Sequence, residues 1–220
     1  YDIMPSLVGS EMCIRDRFLI ILACRVKLNH EINRVVSLSP AATEIIYSLK
    51  LDDKLIGVTS YCNYPEDVKN KEIVGDFSNP SIEKIISLKP DLVIIAGKGQ
   101  GVADRRIKTL GIRTYLYEVK SIKDIKKHIK NLGEILNKRE EASLLIKNFE
   151  KEIENLKKTR KNRNLKVFIE LNPKPLYTSG KKSFISEMID IAGGKNIGDI
   201  FEMDYVRVNP EWILKEKPDI

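Results

Sequence analysis

The sequence predicts an α/β protein of two βα lobes joined by a long rigid backbone helix, with the second lobe truncated at the C-terminus. Three observations carry this. From Arg34 onward, short apolar runs alternate with amphipathic segments, the pattern of parallel strands with crossover helices. After Lys120 the period changes, and apolar residues recur only at spacings of three and four. Third, Glu83-x-Ile85-Ile86-x-x-Lys89-Pro90-Asp91-Leu92 is echoed by Glu211-x-Ile213-Leu214-x-x-Lys217-Pro218-Asp219-Ile220, each copy preceded by an Asn-Pro pair, Asn79-Pro80 and Asn209-Pro210. Two copies so far apart indicate two similar lobes rather than a solenoid.

The elements follow in order. Residues 1–17 show neither period nor turn logic and resemble translated adaptor sequence, foreign to the fold. Residues 18–24, FLIILAC, suit the end of a signal peptide's apolar region, and Ile21-Leu22-Ala23-Cys24 resembles a bacterial lipobox with Cys24 as the lipidated residue. The alternative is a stray apolar segment with a buried thiol. The first lobe spans 34–120: RVVSLS and KLIGV are strands around a helix opened by Pro40, and an irregular polar and aromatic stretch follows. SIEKIISLK is a helix stopped by Pro90, DLVIIAG a buried strand, VADRRIKTLG a helix capped by Gly111, and TYLYEV a strand. The helical span is 121–161. Ile122, Ile125, Ile129, Leu132 and Leu136 form one face; after a break near Asn137, Ala142, Leu145, Ile146, Phe149, Ile153 and Leu156 form another. The second lobe spans 165–220, with LKVFIEL a strand, SFISEMIDIAGG a helix, and Lys217-Pro218-Asp219-Ile220 opening a buried strand. A lobe cut there is expected to leave apolar surface open and to be the less ordered of the two.

Composition excludes several classes. The 38 Lys/Arg exceed the 31 Asp/Glu by 7, and residues 120–166 hold 15 Lys/Arg against 7 Asp/Glu, so one segment accounts for the excess. No apolar run approaches the roughly 18 residues of a membrane-spanning helix. Three scattered cysteines and two histidines exclude a Cys/His zinc cluster, and a His-based triad has only His30 and His128 to draw on. With Cys13 in the foreign head and Cys24 lipidated, Cys62 stands alone and no disulfide is expected.

Four motifs occur in order: RVVSLSPAATEIIYSL, GVTSYCNYP, VGDFSNPSIEKIISLKPDLVI and PLYTSGKKSFISEMIDIAGGKNI. Together they resemble the substrate-binding proteins of ABC importers for cobalamin, iron-siderophores and haem, and TSYCNYP and PLYTSG are most similar to the cobalamin branch. The resemblance covers about residues 34–220. It implies a monomer with ligand held in a cleft between two α/β lobes, outside the cytoplasm and anchored by lipid, delivering a corrinoid to the permease subunits of an ABC importer without chemistry on it. A flat macrocycle needs aromatic platforms and a few donors. The resemblance assigns ligand contact to Tyr61, Phe77, Tyr177 and Tyr205, with Ser39 and Pro40 opening the first lobe's loop. Gly97 stands where some relatives carry an aromatic. Tyr64, beside Pro65, is expected to be structural, and Trp212 at helical spacing suits a core. Glu83 and Glu211, the pair aligned by the internal echo, match the glutamates that reach arginines of the permease; the alternative is a pair of acids in the first turns of their own helices. No resident cofactor or metal is implied. Haem is the alternative ligand, and it would need a tyrosine as axial group, because neither histidine lies in a cleft motif; a ferric siderophore would call for cationic donors.

Two other classes compete. Gly97-Lys98-Gly99-Gln100-Gly101 follows a strand and precedes a helix, with Glu118 ending the next strand, the outline of a dinucleotide-binding turn, but Val102 occupies the third glycine's place. The basic stretch 120–166 lacks interleaved aromatics, so a solvated helix face is expected rather than a nucleic-acid surface. Attraction to anionic lipid headgroups is left open.

Overall fold

The computed structural model describes residues 31–160 and 164–220. Cys24, His30 and the segments 1–17 and 18–24 lie outside the described residues. Five parallel strands form the first sheet in the order β3-β2-β1-β4-β5: β1 (Val35–Ser37), β2 (Leu55–Val58), β3 (Glu72–Ile73), β4 (Leu92–Ala96) and β5 (Arg113–Tyr117). Alternation along the strands divides the core. Val35, Leu92 and Ile94 pack on one face with α1 (Pro40–Ser48) and α4 (Ile122–Ile135). Val36, Val93 and Ile95 pack on the other with α2 (Ile82–Ser87) and α3 (Gly101–Thr109). Both faces are covered, which explains why DLVIIA reads as an unbroken apolar run.

Helix boundaries follow local chemistry. Ser39, Ser81 and Ser121 cap α1, α2 and α4, each hydroxyl accepting from a backbone N–H in the first turn. Gly111 sits after α3 with φ +77°, the cap expected from sequence, and Asn137 has φ 57° at the break between α4 and α5 (Arg139–Thr159). α5 differs from expectation in its distal half. Ala142 is buried against α4, whereas Leu156 is 53% exposed although it shares the same face. The lysine-rich faces of these helices engage neighbouring carboxylates, as in Lys126–Glu150 (2.6 Å) and Lys158–Glu154 (2.7 Å).

Beyond the helices lie β6 (Lys166–Val167), β7 (Asn172–Pro173), β8 (Leu176–Ser179), α6 (Phe184–Ala192), β9 (Lys195–Asn196), β10 (Tyr205–Arg207) and α7 (Pro210–Glu216). LKVFIEL yields only a two-residue strand, because its ladder partner β9 is equally short. β8 pairs antiparallel with both β7 and β10. The echoed motif is repeated in three dimensions. Lys89 (φ 47°) and Lys217 (φ 50°) both turn left-handed after their helices. Asp91 Oδ2 then accepts from the N–H groups of Asn33 and Arg34 (both 2.9 Å), and Asp219 Oδ2 accepts from Lys166 N–H (2.8 Å). Arg34 donates to the Leu88 carbonyl and Lys166 to the Glu216 carbonyl, so each α2/α7 C-terminus meets a cation at the start of β1 or β6. Phe168 N–H donates to Ile220 O (2.8 Å), so the second copy begins a parallel pairing with β6, as the first does with β1.

Candidate ligand site

In a doubly wound sheet the connections diverge on either side of one strand pair, and the crevice outside the carboxyl ends of that pair is the natural ligand site. Here the pair is β1 and β4. Ser39-Pro40 follow β1 and Gly97 follows β4, while Tyr61 and Phe77 lie on the loops after β2 and β3. All five first-half candidates therefore gather at one edge of one sheet.

The loops are built to turn aromatics outward. Cys62 is buried with its Sγ 3.4 Å from the hydroxyls of both Thr43 and Thr59, so the preceding Tyr61 points away and is 61% exposed. Asp76 Oδ1 accepts from the N–H groups of Ser78 (2.7 Å) and Asn79 (2.6 Å), curling the chain around Phe77. Ser60 N–H donates to Gly75 O (3.0 Å) and ties the two loops together. The rings of Tyr61 and Phe77 then meet edge to face at 6.2 Å. Ser39 plays a different part: it is buried, and its hydroxyl caps α1 by accepting from Ala42 N–H, while Pro40 takes the first helical position. Tyr64, expected to be structural, is 66% exposed.

Gly97 has φ +66° and ψ −173°, a backbone state reserved to glycine, and among the described residues a Cβ built there meets nothing within 4 Å. The Gly97 N–H donates to Tyr117 O (2.9 Å), so this amide is committed to the sheet. Gln100, which sequence reasoning passed over, is 2% exposed and bridges this turn to both β1 and the Phe77 loop.

In the second half, β8 and β10 pair Tyr177 with Arg207 and Ser179 with Tyr205, placing all four on one face of the ladder. Tyr205 is 54% exposed. Arg207, two residues from Tyr205, was legible only through the period of the strand. Gly180 ends β8 where a Cβ would lie 2.2 Å from Met203 O, so the Thr-Ser-Gly motif permits the 201–204 segment to cross closely. Trp212 packs against Phe201 with the rings tilted by 57° and their centres 5.3 Å apart, and helps line a hollow of about 370 Å³ with Arg207 and Asn209.

Glu83 and Glu211 occupy the same place, the second residue of a helix capped by Ser81 or Asn209. Glu83's own backbone N–H and the Ser81 hydroxyl hold its carboxyl below the usual range, with Arg106 assisting. His128 is buried in the first-half core. Its Nδ1 lies 2.6 Å from the Tyr115 hydroxyl and its Nε2 2.8 Å from Glu118 O. Tyr117 packs on that ring, and burial pushes its hydroxyl up to about 12.

The sequence profile of the periplasmic binding protein family matches residues 35–220. The chain belongs to this family. Among its relatives is YvrC of Bacillus subtilis, named an uncharacterized ABC transporter substrate-binding lipoprotein, 35% identical over 203 residues that cover 88% of this chain and 64% of YvrC. The vitamin B12-binding protein of Vibrio parahaemolyticus is 30% identical over 194 residues, covering 87% of this chain and 70% of that protein. The crystal structure of the periplasmic vitamin B12 binding protein BtuF of Vibrio cholerae superposes with a TM-score of 0.75 at 30% identity, covering 86% of this chain and 74% of BtuF. The chain thus spans about two thirds of the length of the curated periplasmic binding proteins it resembles.

Proposed function

We propose that this chain is the substrate-binding component of an ABC importer, with two lobes on either side of α5 and a corrinoid as ligand. The observation that carries this reading is the Tyr61–Phe77 pair, exposed at the carboxyl edge of the sheet beside its switch point. Two rings held at an angle offer apolar surface to a flat macrocycle and little to a small polar solute. Tyr177 and Tyr205 supply a second aromatic face, and Gly97 leaves room for bulk between β4 and the ligand. Relatives named vitamin B12-binding proteins support the corrinoid reading.

Glu83 and Glu211 are the docking groups in this reading, one per lobe, each offering a carboxylate to an arginine of a permease subunit. Their matched positions at two helix N-termini suit a partner with two-fold symmetry. The protein works outside the cytoplasm, held to the membrane by lipid on Cys24. Calorimetric titration with cyanocobalamin, hemin and a ferric chelate tests the ligand. Saturable heat with cyanocobalamin is expected; heat with hemin or the ferric chelate alone would replace the corrinoid by that ligand. For docking, Glu83→Ala with Glu211→Ala should leave affinity intact and sharply reduce uptake through the cognate importer. Unchanged uptake would reduce both glutamates to helix-end acids.

A further inference from the structure

Gln100 is a buried polar side chain with three backbone partners on three different segments. Its Oε1 accepts from Ala96 N–H at 2.7 Å. Its Nε2 donates to Leu38 O at 3.1 Å and to Phe77 O at 2.7 Å. The partners fix the amide's orientation: a flipped group would set NH₂ against an N–H and oxygen against two carbonyls. Both amide hydrogens and the oxygen are used.

The location explains the need. β1 and β4 pair in parallel through Ser37↔Ile94, and Leu38 N–H still donates to Ile94 O (2.9 Å). One more rung of an even parallel ladder would join Ala96 N–H directly to Leu38 O. Instead the Gln100 carboxamide stands between them, receiving from one and donating to the other. It acts as a detached peptide group wedged into the ladder at the point where the two strands part. Its second hydrogen reaches the carbonyl of Phe77, whose ring forms half of the aromatic pair.

We propose that Gln100 is the positioning residue of the ligand platform: it holds the β1–β4 crevice open and fixes Phe77, and with it Tyr61, at the edge of that crevice. This rests on the reading that the Tyr61–Phe77 pair contacts the ligand. Gln100 itself is 2% exposed and acts through Phe77 rather than by touching ligand.

The test uses the full chain with Gln100→Leu, which keeps bulk and removes all three bonds, and Gln100→Glu, which keeps shape and the acceptor for Ala96 N–H but turns an oxygen toward the Leu38 and Phe77 carbonyls. Three quantities are read: amide exchange at Ala96, the NMR contact between the Tyr61 and Phe77 rings, and cyanocobalamin affinity. In Gln100→Leu, Ala96 exchange should quicken by about tenfold or more, the order expected when a buried hydrogen bond is lost, whereas Gln100→Glu keeps the Ala96 acceptor and should retain that protection. In both variants the ring contact should weaken and affinity should fall by a factor similar to that quickening, while Val93 and Ile94 amides stay as protected as in wild type. Wild-type exchange at Ala96 in Gln100→Leu with an unchanged ring contact would overturn the proposal. So would an equal loss of protection at Val93 and Ile94, which would make Gln100 an ordinary core residue. If the wild-type chain itself binds no cyanocobalamin, the corrinoid reading falls, and the exchange and ring measurements still decide whether Gln100 braces the loop.

Discussion

Tyr61 and Phe77 owe their exposure to the residues beside them, Cys62 anchored between two threonine hydroxyls and Asp76 curling its own loop. The two rings therefore differ in what their removal costs. Tyr61→Ala takes away a largely solvated ring, so thermal stability should stay within about 0.5 kcal/mol of wild type. Cyanocobalamin affinity should fall about fivefold, the equivalent of roughly 1 kcal/mol of aromatic contact. Phe77→Ala removes a ring that is only 37% exposed, and should lower affinity and melting temperature together. Titrations run beside thermal melts check both; equal effects of the two variants on stability would contradict the assignment. The motifs placed these aromatics from sequence alone. Gln100 stayed hidden because its carbonyl partners are 62 and 23 residues away and a lone glutamine gives no periodic signal.

Among the elements, the α4–α5 hairpin shows where packing overrides propensity. Glycine inside a helix costs about 0.5–1 kcal/mol relative to alanine, which alone would favour Gly133→Ala. A Cβ at that position, however, would lie 2.4 Å from Ala142 Cβ and 2.9 Å from Lys138 O. Overpacking of that kind costs about 1–3 kcal/mol and wins, so Gly133→Ala should lower the urea midpoint. The start of α4 carries a pH dependence. The Ser121 hydroxyl and the Lys120 N–H both donate to Asp124, holding its carboxyl below its ordinary 3.8 against a small opposing effect of burial. A carboxyl depressed in the folded state adds stability above its unfolded pKa and loses it as pH falls through the folded value. The stability gap between wild type and Asp124→Asn should therefore close as pH drops from about 5 to about 2, across the carboxylate range. Thermal melts along that range measure it, and a constant gap would leave the charge of Asp124 without a role. Helices were legible through their caps and periods. Strand lengths were not, since a strand stops where its neighbour does, and neither β6 nor β3 announces its partner's length. The exposure of Leu156 escaped for the same reason: period identifies a face but not what covers it.

Across the whole molecule, the echoed Lys-Pro-Asp unit turned out to be a repeated joint between a helix end and the first strand of each half, built from Arg34 and Asp91 in one and Lys166 and Asp219 in the other. The two joints are unequal. Asp91 accepts from two backbone N–H groups where Asp219 accepts from one. Asp91→Ala should cost about 1.5–3 kcal/mol, as expected for hydrogen bonds to a charged group, and Asp219→Ala distinctly less. The two carboxylates accept from different backbone groups in different halves of the chain, so the double variant should equal the sum of the singles in denaturant unfolding. A shortfall from that sum would mean that the joints communicate. Gly97 bears on how such a molecule changes over generations. Its backbone state admits no other side chain without strain, yet no described residue lies within 4 Å of a Cβ built there. A lineage that gained a ring there would first have to reshape the turn, so no single codon change opens that route. The notch beside β4 is in this sense inherited as a block, and under the proposed corrinoid reading drift in ligand preference begins instead at the exposed rings of Tyr61 and Phe77.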